Sequence, residues 1–193
     1  MHFTIFFHLF LATSFLSFFV SYLAWKRKNV HGAVEISNLM FLIGIYAFLI
    51  AFEVASATVE GKIFWTKISY VGAVSVPVLY FVFIMRFTGH DNVITIKKKL
   101  SLYLLPFVTL ILAFTNEKHH LIWSGFSPIS PETNLMEFHH GIWFWLGYMA
   151  YDYILLIIAT IALFKYIFWQ KKKFRKQGLV IFIAGRSGSG INL

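Results

Sequence analysis

Apolar stretches of membrane-spanning length alternate along this chain with tight clusters of lysine and arginine, and the clusters fall at every second boundary. Cationic side chains are costly to carry across a bilayer and are retained on the cytoplasmic side, so the alternation predicts both the number of crossings and their direction. Five runs, at 3–25, 36–58, 65–87, 100–114 and 142–168, approach or exceed the roughly 20 helical residues that span the hydrocarbon core. They are continuous rather than alternating, and a helix satisfies its own backbone in lipid, so helices are expected. The fourth run is the shortest and contains Pro106, which predicts a kink or tilt.

Residues 1–30 place Lys26, Arg27 and Lys28 after the apolar run and no basic residue before it, the reverse of a cleavable leader. A retained anchor with its N-terminus outside is expected. With that orientation thirteen basic residues lie in or beside cytoplasmic segments, against three outside, Lys62, Lys67 and Lys118. A sixth apolar run, GLVIFIAG at 178–185, covers only about 12 Å of helix. The expected fold is therefore an all-α integral membrane bundle of five full spans with a truncated sixth over 1–185. A polar tail follows at 186–193, and the expectation is either a chain cut short or a tail that is foreign or frame-shifted.

A net charge of +9 would suggest nucleic acid as the partner of a soluble protein, but here the basic residues flank apolar runs and the mean hydropathy is +0.72. The lipid bilayer is the expected partner, not nucleic acid. The absence of cysteine removes disulfides, thiolate metal sites and a cysteine nucleophile. No phosphate-binding glycine loop, HExxH helix or GxSxG elbow is present, and no lysine lies mid-helix to hold retinal.

Several polar residues stand out against this background. Glu53 and Lys67 flank the turn around Glu60 and Gly61 at equal distance, which predicts either an ion pair between antiparallel helices or two side chains snorkelling to the headgroups. Asp152 lies near mid-bilayer with Tyr148, Tyr151 and Tyr153 nearby. It must face the bundle, as a polar element of a binding pocket or switch, or as an interhelical hydrogen bond. The 115–141 segment is the one long connection and the expected mouth for a ligand. It holds His119, His120, His139 and His140. A metal could take one from each pair, His119 and His139 being the weak candidates, but loop packing is the simpler role and no metal or cofactor is expected. The six tryptophans sit at helix ends or in the long loop, where most serve as interfacial anchors.

Two stretches go beyond composition. FWTKISYVGAVSVPVLYFVFIMRFTG, residues 64–89, carries Phe/Trp, Tyr-x-Gly, a mid-helix proline and an aromatic run closing in Thr-Gly. TNEKHHLIWSGF, residues 115–126, followed by HHGIWFWLGYMAYDYILL, carries TNxxHxLxW and a Gly-x-x-Phe-Trp helix start. Together they resemble the seven-transmembrane N-terminal input region of bacterial sensor histidine kinases, also found ahead of diguanylate cyclases and other outputs. The matching residues are Trp65, Tyr70, Gly72, Pro77, Gly89, Thr115, Asn116, His119, Leu121, Trp123, Gly141 and Trp145. Pro77 breaks the helical ladder, Gly72 permits close helix approach, and Thr115 with Asn116 can end the fourth helix.

The resemblance implies a multi-pass cell-membrane sensor that detects an extracellular or membrane stimulus and drives a cytoplasmic output as a homodimer. It covers residues 1–185, without the seventh helix or an output domain, so no enzyme activity is expected of this chain. Candidate residues for an unidentified small ligand are Glu53, Trp65, Tyr70, Tyr80, His119, Trp123, Trp145, Tyr148 and Asp152, with Gly72, Pro77, Gly89, Thr115 and Asn116 as structural elements. The alternative is a small transporter or channel subunit, which predicts a continuous polar path and a repeat between halves. Neither is visible in the sequence.

Overall fold

A computed structural model describes residues 3–30, 32–90 and 94–187, with the backbone alone for 169–187. Helices α1 (Ile5–Lys26), α2 (Ala33–Ala55) and α3 (Val59–Phe87) follow one another through short turns. Two short helices follow, α4 (Ile96–Leu102) and α5 (Leu104–Phe114), then a 3-10 turn (Asn116–Lys118) and an antiparallel pair, β1 (Trp123–Phe126) and β2 (Phe138–His140). A π-helical stretch (Phe144–Met149) leads into α6 (Ala150–Ser187). The bundle thus has a loop end, carrying the strands, and a basic end.

Helices α1 and α2 meet through small polar residues rather than interlocking aliphatics. Ser21 and Ser37 each donate to the other's backbone carbonyl, at 2.8 and 2.9 Å, and Ser14 donates to the Gly44 carbonyl at 2.8 Å. Such contacts join helices where lipid offers no hydrophobic driving force. Gly72 does the same between α2 and α3, because a Cβ there would stand 2.8 Å from the Tyr46 Cβ. At the basic end Gly89, at φ 79°, closes α3 as a Schellman cap, with its N–H on the Arg86 carbonyl and that of His90 on Met85. Glu35 of α2 pairs there with Arg86 of α3.

Among the described residues four segments are long and apolar enough to cross a membrane: α1, α2, α3 and 144–168. The fourth apolar run differs from the expected continuous span, because it divides at Tyr103 and neither piece reaches spanning length. Pro106 explains the division. Proline has no N–H for the carbonyl four residues earlier, that of Leu102, and the Tyr151 hydroxyl donates to that carbonyl instead, at 2.7 Å. Pro77 has a milder effect: α3 runs through it unbroken.

Two further expectations change. The α3 helix begins at Val59, capped by Thr58, whose hydroxyl accepts the Gly61 N–H, so residues 60 and 61 are helix rather than turn. The run at 178–185 is not a separate sixth helix, since α6 continues through the basic stretch to Ser187. Most of the expected polar tail, 188–193, lies outside the described residues.

Candidate functional site

At the loop end, α2, α3, β2 and the π-helix enclose a cavity of about 520 Å³, within the usual range of small-molecule sites. Each element contributes at its own period. Helix α2 supplies Tyr46, Ile50 and Glu53, and α3 supplies Thr66, Ser69, Tyr70 and Ala73, both series at helical spacings of three, four or seven. Phe144, Tyr148 and Met149 come from the π-helix, while Glu137, Phe138 and His140 close the rim from the hairpin.

The walls leave polar groups unspent. The Thr66 hydroxyl is buried and has no hydrogen-bond partner. One turn beyond Tyr148, Asp152 is 7% exposed, and its Oδ1 likewise has none, while the Tyr148 hydroxyl reaches its carboxyl group. The rings of Tyr70 and Tyr148 pack with centroids 5.7 Å apart. Pro77, lacking an N–H, also leaves the Ala73 carbonyl of the cavity wall without its intrahelical donor.

Lys62 braces the floor of α2. It is fully buried, and its Nζ donates to the Glu53 and Val54 carbonyls at 3.1 and 3.3 Å, with the Glu53 carboxylate 3.9 Å away. A cation there satisfies orphan carbonyls at the negative end of the helix dipole. Asn134 completes the cap from the loop, donating to the Val54 and Ser56 carbonyls at 2.7 and 3.1 Å.

This arrangement corrects the expected Glu53–Lys67 pair. With α3 starting at Val59 the turn is centred near Ala57, so the residue level with Glu53 is Lys62. Lys67 instead pairs with Glu117 beyond α5 and reaches the Phe114 carbonyl at 3.4 Å. The hydrogen bond from Lys67 holds the Glu117 carboxyl below its ordinary range.

Above the cavity, the TNxxHxLxW residues form a knot. Asn116 mimics a strand: its Oδ1 accepts the N–H groups of Ile122 and Trp123 at 2.9 and 3.0 Å, and its Nδ2 donates to the Trp123 carbonyl at 2.9 Å. Thr115 caps α5 by donating to the Ile111 carbonyl at 2.8 Å. His119 Nδ1 accepts the Leu121 N–H at 3.1 Å, which leaves Nε2 to donate to Thr115 Oγ1, also at 3.1 Å. Gly141 returns the chain: its N–H meets the Ile122 carbonyl, and a Cβ would lie 2.4 Å from the Leu121 oxygen. Trp123, 2% exposed, packs edge-on against Tyr70 with centroids 5.0 Å apart.

Of the residues singled out from the sequence, Glu53, Tyr70 and Tyr148 therefore line the cavity, Asp152 lies behind Tyr148, Trp123 packs on the lining residues Tyr70 and Phe138, and His119 belongs to the knot with Thr115 and Leu121. Trp65 packs on Phe52, Tyr80 joins the apolar cluster at the basic end, and Trp145 is 57% exposed on the outer surface. His139 and His140 lie on β2, where burial and the neighbouring His139 push the His140 imidazole below its ordinary value. Among the described residues no three His, Cys, Asp or Glu side chains converge as a metal site. Sequence reasoning missed Tyr46, Thr66, Ser69, Phe138 and Phe144, and it weighed His140 only as a metal ligand. The signal for Thr66 and Ser69 was present, as a polar stripe at helical spacing within an apolar run.

Comparison with known proteins accords with the motif resemblance. No curated protein and no solved structure matches the chain. A family model described as the N-terminal 7TM region of histidine kinase matches residues 9–187. Such a region is the membrane sensory input module rather than the catalytic domain. Together with the motif knot and the apolar helices, the match shows that the chain belongs to the histidine kinase N-terminal 7TM family.

Proposed function

We propose that this region crosses the cell membrane several times with the 115–141 loop outside, and that the loop-end cavity receives the stimulus as a small ligand. The observation that carries this reading is the set of buried, unpartnered polar atoms, Thr66 Oγ1 in the wall and Asp152 Oδ1 behind it, in a bundle where such atoms are costly. Glu53, Tyr70 and Tyr148 are the contact residues, with Asp152 as the group behind them. A ligand that favours one packing of α2, α3 and α6 shifts the population toward it, and α3 and α6 carry the change to the basic end. There a cytoplasmic output domain, working as a homodimer in the intact receptor, reads it. The region itself supplies no catalysis.

The test grafts residues 1–187 in place of the membrane region of a family kinase and reads autophosphorylation. Ala73→Trp, which fills the cavity, is expected to shift the basal output several-fold. Ile158→Trp, on an exposed α6 face, is expected to leave it unchanged. Equal output from Ala73→Trp and the parent at matched expression would count against the cavity as the input.

A further inference from the structure

The chemistry of the cavity wall specifies the charge of what it binds. We infer that the loop-end cavity is a site for a small organic cation, a primary or quaternary ammonium compound; this rests on the cavity being the input site. Three observations converge on that class.

The first is charge. Glu53 and Glu137 line the cavity and Asp152 stands one turn behind Tyr148, while no lysine or arginine is among the described lining residues. The nearest cation, Lys62, is fully buried, donates to two backbone carbonyls and stands 3.9 Å behind the Glu53 carboxylate as its counter-charge, outside the lining. The lining itself therefore holds two acidic side chains and no lysine or arginine, although the chain as a whole carries +9. His140, at the rim, has its imidazole pushed toward the neutral form and does not offset them.

The second is unfilled acceptor capacity. The Glu53 carboxylate, 8% exposed, accepts no hydrogen bond among the described residues, since Lys62 at 3.9 Å is beyond hydrogen-bond reach. Thr66 Oγ1 is buried in the same wall without a partner, and the Ala73 carbonyl has lost its helical donor to Pro77. A buried hydroxyl oxygen left unpaired, beside a carboxylate that has a counter-charge but no hydrogen bond, calls for a donor from the cavity side. A primary ammonium group supplies three N–H donors, and a quaternary one answers the charge alone.

The third is the aromatic lining. Tyr46, Tyr70, Phe138, Phe144 and Tyr148 surround the space, with Tyr70–Tyr148 and Phe144–Tyr148 centroids 5.7 and 5.6 Å apart. Aromatic faces attract a desolvated cation through their quadrupole, and a cage of several rings is the usual container for alkylammonium groups. Neither a carboxylate nor a phosphate ligand would be tolerated by this wall. A neutral apolar ligand would leave its oxygens unpaired.

The experiment is calorimetric titration of the whole chain in lipid nanodiscs with ethylammonium and tetramethylammonium, alongside acetate and neopentyl alcohol, a neutral compound of similar bulk to tetramethylammonium. Saturable binding of at least one cation is expected, with neither acetate nor the alcohol competing. Glu53→Gln should weaken it about tenfold or more. Phe144→Leu, which leaves every carboxylate in place, should weaken it several-fold and serves if the Glu53 variant does not fold. Absence of saturable cation binding, or an affinity in both Glu53→Gln and Phe144→Leu equal to that of the parent, overturns the inference. Binding of the alcohol as tightly as the cations also overturns the charge assignment, yet leaves the cavity as a ligand site. Cation binding without a change of kinase output in Ala73→Trp would instead sink the signalling role alone.

Discussion

The two ends of α3 pack in opposite ways. At the loop end its inner face is Thr66, Ser69, Tyr70 and Ala73, around a cavity with unspent polar atoms. From Val78 to Met85 the same helix presents Val78, Phe81, Val82 and Met85 to Leu155 and Ala159 of α6, a close-packed apolar cluster. One helix pair thus joins a loosely filled polar chamber to a dry, rigid contact. On the proposed reading, a ligand would change the first at small cost, and the second would transmit the displacement because packed cores resist compression.

Four experiments sharpen that contrast. The largest effect is expected from Lys62→Met, which strips the α2 carbonyls of their cap and leaves the Glu53 carboxylate buried without a counter-charge, a loss of about 3–5 kcal/mol. Thermal unfolding in detergent should show it, and an unchanged midpoint would mean the cap is not structural. Asn116→Ala should follow at about 2–4 kcal/mol, because it orphans the Ile122 and Trp123 N–H groups. Limited proteolysis of the 115–141 loop is the direct readout.

The third experiment compares the two ends of α3 and α6. Leu155→Ala opens a void in the apolar cluster and should cost about 2–4 kcal/mol. Thr66→Val removes a hydroxyl that has no partner and should be neutral or stabilising by up to about 1 kcal/mol. If both variants lost stability equally, the chamber would be as tightly built as the dry cluster. The smallest effect concerns pH. Glu117 has its folded-state pKa lowered by Lys67, so its contribution is full above the unfolded value and disappears as pH falls through the folded one. Glu117 is largely exposed, at 64%, so solvent screens the pair and the loss should not exceed about 1 kcal/mol. It should vanish in Lys67→Met when unfolding is followed from neutral to acid pH.

Much of this architecture was legible in the residues. Helices α1 and α2 end within three residues of where their apolar runs end, because the bilayer period dominates local preference there. The start of α3 was misjudged because Glu60 and Gly61 look like a turn, whereas Thr58 caps a helix through them. The hairpin left no periodic trace: strands of four and three residues are too short to alternate visibly. They are held by the Asn116 side chain and by the approach that only Gly141 permits. The motif residues were recognisable, but their role was not, since hydrogen bonds from Asn116 to residues six and seven positions on follow no sequence rule. The cavity was half visible. Glu53, Tyr70, Tyr148 and Asp152 announce themselves as polar groups in apolar runs, while Phe138 and Phe144 look like ordinary membrane aromatics until the fold turns them inward.

The central claim, a chamber opening on the outer side of the membrane, can be tested by thiol accessibility, since the native chain has no cysteine. Glu137→Cys places a thiol at the exposed rim of the cavity and Val30→Cys places one at the basic end. In intact cells an impermeant maleimide should label Glu137→Cys and should reach Val30→Cys only after permeabilisation. Labelling of Val30→Cys in intact cells, with Glu137→Cys protected, would contradict the orientation and place the chamber on the wrong side to sense an external stimulus.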